Sequence, residues 1–427
     1  MGKEDSGIRR YQIILGILFA AASAVYLLTV HFTGIETEAV KVYFPYADTL
    51  AHGGIPEMEY PQFALVFMAI PRIFASTPLG YNIAFVAEVF VFFMIGLVVI
   101  GKLAKRYYQS QRKMMLIYTI LMMLMFEFVV DRYDIFPAVL TLTSLYLFVT
   151  KKYMWAFVLL SVAMMTKLYP AVLLPIYLFP FIINRDWSNA LKGGGVFVAV
   201  AALIILPFLI LDHGSALHFL SYNMDRPLQI ESTPASFIAV GSILGLTGTS
   251  IGFSFGSDNM MGSWPDAVAP YMMPLMLLAV IAVYFIHVYI LLRLRKEGQD
   301  NENNRMVFLG GAVLLSILVF IIFGKVFSSQ YLIWIIPFVV FMMMTSIDHT
   351  SKLYILILSA VSIALTQLNF AVNIGISGGG SGITDAGMMI ILARNIVTII
   401  LFAYVIKISA ESVKKKPWCA KSSGEDI

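Results

Sequence analysis

The chain has 427 residues, 59% hydrophobic and only 13% charged, with a formal net charge of +4. A soluble domain needs roughly 25% charged residues to cover its surface, so a water-soluble globular protein is excluded. The small net charge gives no reason to expect a nucleic-acid partner.

Apolar runs of about 17–22 residues recur from end to end, the length that crosses a bilayer core. Backbone in hydrocarbon must satisfy its own hydrogen bonds, and a barrel would show short alternating segments instead. The expected fold class is an all-α polytopic membrane protein, a bundle of about 12 transmembrane helices whose outer-face loops carry short helices. Spans are expected near 11–32, 82–101, 114–130, 135–150, 153–168, 171–183, 195–212, 271–292, 307–323, 331–347, 352–370 and 387–408. The first run, Ile13 to Val30, is too long for a signal-peptide core and reads as a retained span. Residues 1–427 read as a single integral-membrane domain with outer loops at 33–62 and 213–270 and a cytoplasmic basic tail at 409–427. The one cysteine, Cys419, lies in that tail, so no internal disulfide or thiolate metal site is expected.

Charge orients the spans. All but seven of the 29 Lys and Arg fall in alternate loops, among them KLAKRYYQSQRK (102–113), RLRKEGQDNENNR (293–305) and KKK (414–416). By the positive-inside rule those loops and both termini are cytoplasmic. The other side keeps Lys41, Arg72, Arg132, Lys167, Arg226, Lys325 and Arg394, together with most of the acids. Cations against the bias need a reason, so the working face is expected outside.

In chain order, the first outer loop carries Glu36 and Glu38, either interfacial acids or a general base toward a sugar hydroxyl. VYFPYADTLAHGG reads as a short amphipathic helix ended by Gly53-Gly54, and GIPEMEYPQF follows with Glu57, Glu59 and Tyr60. In EFVVDRYDIFPAVL, Glu127, Asp131, Arg132 and Asp134 cluster at a span junction, as a functional group or as a salt-bridged turn. In TKLYPAVLLP, Lys167 must snorkel or pair, with a lipid phosphate as a natural partner, and Tyr169-Pro170 ends the span. In DRPLQIESTPASF, Arg226 suits bidentate phosphate contact, or it pairs with Glu231 to stiffen the loop. GKVFSSQYLIWIIP offers Lys325, Ser328 and Gln330, with Tyr331 and Trp334 suited to an interfacial belt. GGGSG at 378–382 reads as flexible linker, and the spacing of His52, His213 and His218 is by itself weak evidence for a metal.

VYFPYADTLAHGGIPEMEYPQFAL, DIFPAVLTLTSLYLF with TKLYPAVLLP, RPLQIES and GKVFSSQYLIWIIP, in that order over about 36–337, resemble the GT-C superfamily of integral-membrane glycosyltransferases. Within it they are similar to glycosyltransferase family eighty-seven, the polyprenyl-phosphate-mannose-dependent mannosyltransferase type. The resemblance implies a GT-C architecture and transfer of a hexose, most often mannose, from a polyprenyl-phosphate carrier to a glycan or glycolipid acceptor outside the cytoplasmic membrane. It implies an inverting, metal-independent reaction without a cofactor, and a catalytic acid in the first outer loop. The sequence departs from the family where that acid is usually Asp: Glu36 and Glu38 are the nearest matches, one residue out of register, and Glu59 is a further candidate. Gln62 stands where the family has a second Pro, and Ser329 where it has Pro.

The implied donor leaves a phosphate whose charge needs cations, and Lys167, Arg226 and Lys325 are the available set. Tyr60, Asp131, Asp134, Tyr169, Glu231, Ser328 and Gln330 complete the expected substrate-binding group. Two rivals compete: a lipid or solute transporter or flippase, which would carry charges midway through its spans as Glu88 does, and a surface-polysaccharide polymerase or ligase.

Overall fold

The computed structural model describes residues 3–299, 301–377 and 384–411. The Gly-rich stretch at 378–382, the basic run at 414–416 and Cys419 lie outside the described residues. The helices are α1 (Lys3–Thr33), α2 (Phe44–Ala51), α3 (Ala64–Phe74), α4 (Pro78–Arg106), α5 (Gln111–Leu124), α6 (Phe126–Asp131), α7 (Ile135–Val149), α8 (Tyr153–Thr166), α9 (Leu174–Ile183), α10 (Trp187–Leu211), α11 (His213–Asp225), α12 (Thr233–Ile243), α13 (Ser263–Lys296), α14 (Glu302–Phe323), α15 (Leu332–Met344), α16 (His349–Ser377) and α17 (Asp385–Glu411).

Every expected span has its helix, and among the described residues seven are long and apolar enough to cross a membrane. The segments expected at 114–130, 135–150, 153–168, 171–183 and 331–347 are shorter, and the first breaks at Met125 into α5 and α6. Short apolar helices can sit at membrane depth where protein rather than lipid surrounds their ends. α15 fits that reason, since every residue from Leu332 to Met344 is buried. The apolar stretch of α14 is likewise 89% buried, whereas that of α10 is 6% buried and faces outward.

Tyr271 and Tyr289 on α13 are 67% and 60% exposed. They lie five turns apart, about 27 Å at 1.5 Å per residue, close to the thickness of a bilayer core. Exposed Trp264 joins Tyr271 at one end; exposed Tyr108, Trp155, Trp187 and Tyr354 lie at the other with Tyr289. Two such aromatic levels mark the two membrane–water interfaces.

Both long loops at the Tyr271 end are structured. In the first, a π-helical turn (Ala39–Tyr43) leads into α2, where the sequence suggested one amphipathic helix, and Gly53, at φ +80°, ends it. The apolar run after the loop forms α3, which the sequence reading did not separate from its surroundings. In the second, α11 and α12 flank the segment 226–232, and a hairpin, β1 (Ser250–Ser254) and β2 (Ser257–Met261), follows. Its register pairs Ser254 with Ser257 across Phe255-Gly256, both with positive φ as a tight hairpin turn requires. No strand was expected in this chain; the short alternating run was masked by its helical neighbours.

Candidate active site

A cavity of about 640 Å³ opens at the Tyr271 end, with Met272, Met273 and Met276 of α13 on its wall. Its remaining walls come from the first loop, the α6–α7 junction, the chain after α8, segment 226–231, the hairpin and the stretch 324–334. Apart from the hairpin, those are stretches that the sequence singled out, brought together by folding.

Three candidate acids separate here. Glu38 lines the cavity with its Oε2 3.0 Å from Arg132 Nη1. Glu59 also lines it. Glu36 does not: it is exposed, in the connection before the π-helical turn. Asp131 is not a wall residue either; its Oδ1 accepts the Glu38 backbone N–H at 2.9 Å and the Tyr26 hydroxyl at 3.3 Å. It fixes the peptide that carries Glu38. Burial raises the Asp131 pKa, opposed by neighbouring Arg132.

Glu59 lies beside Tyr222 under the hairpin turn. A Cβ on Gly256 would stand 3.5 Å from both the Glu59 carboxylate and the Tyr222 hydroxyl, so the turn closes directly over them. Tyr60, with Tyr43 and Tyr133, forms an edge-to-face aromatic cluster on the same wall. Burial holds all three phenols well above their usual range, so they stay neutral donors. Gln62, the departure from Pro, is buried and donates from Nε2 to the Ala216 carbonyl at 2.7 Å, tying the first loop to α11.

Lys167 was expected to snorkel or pair, with a lipid phosphate as a natural partner. Of the two expected outcomes, snorkelling or pairing, it pairs, with Asp134 rather than a lipid phosphate: its Nζ lies 2.6 Å from Asp134 Oδ1, which also accepts the Trp334 indole N–H at 2.6 Å. The rings of Tyr133, Tyr331 and Trp334 surround the ammonium with centroids 4.7, 5.1 and 5.0 Å away. Trp334 is fully buried, stacked between Tyr169 and Tyr331. The belt expected for Tyr331 and Trp334 is therefore corrected: an ion pair away from water is more stable with its donors satisfied and its cation against aromatic faces.

Arg226 and Glu231 do not pair. Arg226 Nη2 donates to Ser257 Oγ at 2.8 Å, while its buried Nε has no partner. Glu231 Oε2 takes the Ser329 hydroxyl at 2.8 Å and Arg394 Nη1 at 2.7 Å. Arg394, 1% exposed on α17, also donates to the Glu231 and Phe327 carbonyls. Gln229 completes the strap: its Nε2 donates to Ser328 Oγ at 3.0 Å and its Oε1 accepts the Phe327 N–H at 2.9 Å. Segment 226–232 is thus stitched to 325–329, with Gln330 beside it on the cavity wall. Lys325 Nζ donates to the Met224 carbonyl at 2.8 Å, and burial lowers its pKa. Burial and neighbouring Glu231 raise that of Asp258, another wall residue.

Sequence reasoning missed Tyr43, Tyr133, Tyr222, Gln229, Asp258 and Arg394 as parts of this site. Only Arg394 carried a signal, as a cation on the side that normally lacks them. Besides Arg226 Nε, the buried Tyr133 hydroxyl and Asp134 Oδ2 have no hydrogen-bond partner, and Arg132 Nε has none beyond a 3.9 Å ion-pair contact with Asp131. Unsatisfied donors and an acceptor around one cavity suit a polar ligand. Among the described residues no group of three or more His, Cys, Asp or Glu could hold a metal ion.

Residues 59–322 match the profile of glycosyltransferase family 87. No curated protein matches the chain. A solved structure similar to it is ArnT from Cupriavidus metallidurans bound to undecaprenyl phosphate, at 13% identity and TM-score 0.45, over 93% of this chain and 77% of that one.

Proposed function

The chain belongs to glycosyltransferase family 87, and from that premise we propose that it moves a hexose, mannose in our reading, from a polyprenyl-phosphate carrier to a hydroxyl of a glycan or glycolipid. The observation that carries this reading is a single cavity at interfacial depth holding carboxylates (Glu38, Glu59) together with Arg226 and Lys325. A polyprenyl-phosphate sugar places its anomeric carbon at that depth, with its chain among the helices.

Glu38 is the base. Arg132 holds its carboxylate on the cavity wall through the 3.0 Å ion pair. It takes the proton of the acceptor hydroxyl as that oxygen bonds to the anomeric carbon from the face opposite the phosphate. The carbon–phosphate oxygen bond breaks and its electron pair stays on the phosphate. Arg226, with its unpartnered Nε, and Lys325 meet the developing charge. Glu59 and Tyr222 orient the acceptor. The Lys167–Asp134 pair is internally neutralised and shapes the wall, rather than serving as a free cation. No step calls for a metal, and attack opposite the leaving group inverts the anomeric centre. By the charge bias of the loops, the cavity faces the outer side of the cytoplasmic membrane and both termini face the cytoplasm.

The test is to incubate membranes containing the chain with radiolabelled polyprenyl-phosphate mannose. Label should pass to a glycan or glycolipid fraction, and not in the Glu38→Gln variant. Solute uptake into proteoliposomes without label transfer would establish a transporter instead.

A further inference from the structure

At the other end of the bundle lies a second cavity that the proposed reaction does not use. α4 begins beside the first loop, where Thr37 Oγ1 meets Asn82 Oδ1, and runs 29 residues, about 43 Å, to Arg106. There a cavity of about 320 Å³ opens between α4, α7, α9, α13 and α14. Its rim carries Arg106, Lys151, Arg295 and Arg305 against one acid, Glu302. Its inner walls are apolar, formed by Phe148, Phe181, Leu291 and Phe308. A further space of about 450 Å³ shares Arg106 and Glu302 with it.

Arg106 is paired with Glu302 at 3.0 Å, and Arg295 donates to the Ile183 carbonyl at 2.6 Å. The Lys151 side chain, by contrast, is exposed and makes no ion pair or hydrogen bond among the described residues. Lys151 also sits just past α7 with φ +62°, a left-handed position that glycine occupies without strain. A lysine stands where the backbone alone would favour glycine. The cavity lies at the level of exposed Tyr108, Trp155, Trp187 and Tyr289, the aromatic belt of that interface.

A cationic rim over an apolar floor at headgroup depth matches one ligand chemistry: a phosphoryl group followed by hydrocarbon. We propose that this cavity binds an anionic phospholipid of the leaflet facing the basic loops, its phosphate at Lys151 and Arg305 and its upper acyl chain between Phe148, Phe181 and Phe308. A free phosphate would use the same cations but not the apolar floor.

The experiment uses the purified full-length chain in neutral detergent, followed by thermal unfolding while phosphatidylglycerol is titrated in. Phosphatidylcholine and sodium phosphate form the parallel arms. Phosphatidylglycerol should raise the melting midpoint, and the other two should leave it unchanged. A basic residue near anionic lipid contributes about 1 kcal/mol, so Lys151→Gly should weaken the apparent affinity about fivefold, and Arg305→Gln similarly. Lys151→Gly should also raise the lipid-free midpoint by relieving the left-handed strain, which separates lost binding from lost folding. An equal rise with sodium phosphate would overturn the lipid assignment in favour of a soluble phosphoryl ligand. A phosphatidylglycerol response unchanged in both variants would overturn the site itself.

Discussion

Asp134 Oδ1 accepts at 2.6 Å from both Lys167 Nζ and Trp334 Nε1, so one carboxylate oxygen joins α7, the end of α8 and α15 in the cavity wall. Breaking such a pair strands a buried charge, which costs about 3–5 kcal/mol. Asp134→Asn should lower the unfolding midpoint sharply in detergent. The double change with Lys167→Met, which leaves no unpaired charge, should recover part of the loss. Additive losses in the double variant would count against the pair.

The three candidate acids give distinct expectations. Glu38→Gln should lower sugar transfer by about 10²–10⁴-fold, the usual weight of a general base, with the protein accumulating normally. Glu36→Gln should leave transfer near wild type, because Glu36 is exposed and off the cavity. Glu59→Gln should raise the KM for acceptor more than it lowers kcat. Initial rates across the three variants decide the assignment, and an active Glu38→Gln enzyme would transfer the role to Glu59.

Arg226 reaches Ser257 with one nitrogen and keeps Nε unpartnered. A charge-assisted hydrogen bond contributes about 1.5–3 kcal/mol, so Arg226→Ala should raise the KM for the phosphate-linked donor on the order of tenfold to a hundredfold. Arg226→Lys should rescue little, since a point charge lacks the planar fork. Donor titration at saturating acceptor reads the effect, and an unchanged donor KM would remove Arg226 from phosphate contact.

Burial lowers the Lys325 pKa below the ordinary lysine value. Its charged form is the one that favours a phosphate, and that form is lost as pH rises through the lowered pKa. Donor use should therefore fall at a lower alkaline pH than an ordinary lysine would give. Lys325→Arg, which stays charged, should move that limb to higher pH. An identical alkaline limb in wild type and Lys325→Arg would remove Lys325 from this role.

Much of the architecture was legible because its physical cause is local. The apolar run expected at 82–101 is a helix in any apolar surrounding, and Lys102, Lys105 and Arg106 gather at one end of it for reasons of charge and depth alone. Lys167, Arg226 and Lys325 stood out as cations on the wrong side, and all three line the cavity. Side-chain partnership was not legible. Trp334 looks interfacial by position, yet it is buried against Asp134 from 200 residues earlier. Arg226 and Glu231 are five apart and of opposite charge, yet each chose a distant partner, Ser257 and Arg394.

By itself, then, the sequence determined the membrane, the helices, the polar end of the bundle and the residue types available for chemistry, since each follows from composition and period over a few turns. Tertiary structure alone decided that Glu38 rather than Glu36 faces the cavity, that Lys167 is neutralised, and that Glu231 belongs to Arg394. Those outcomes depend on which buried groups find partners across helices far apart in the chain. An unpaired charge is costly enough away from water that packing, not sequence proximity, settles them.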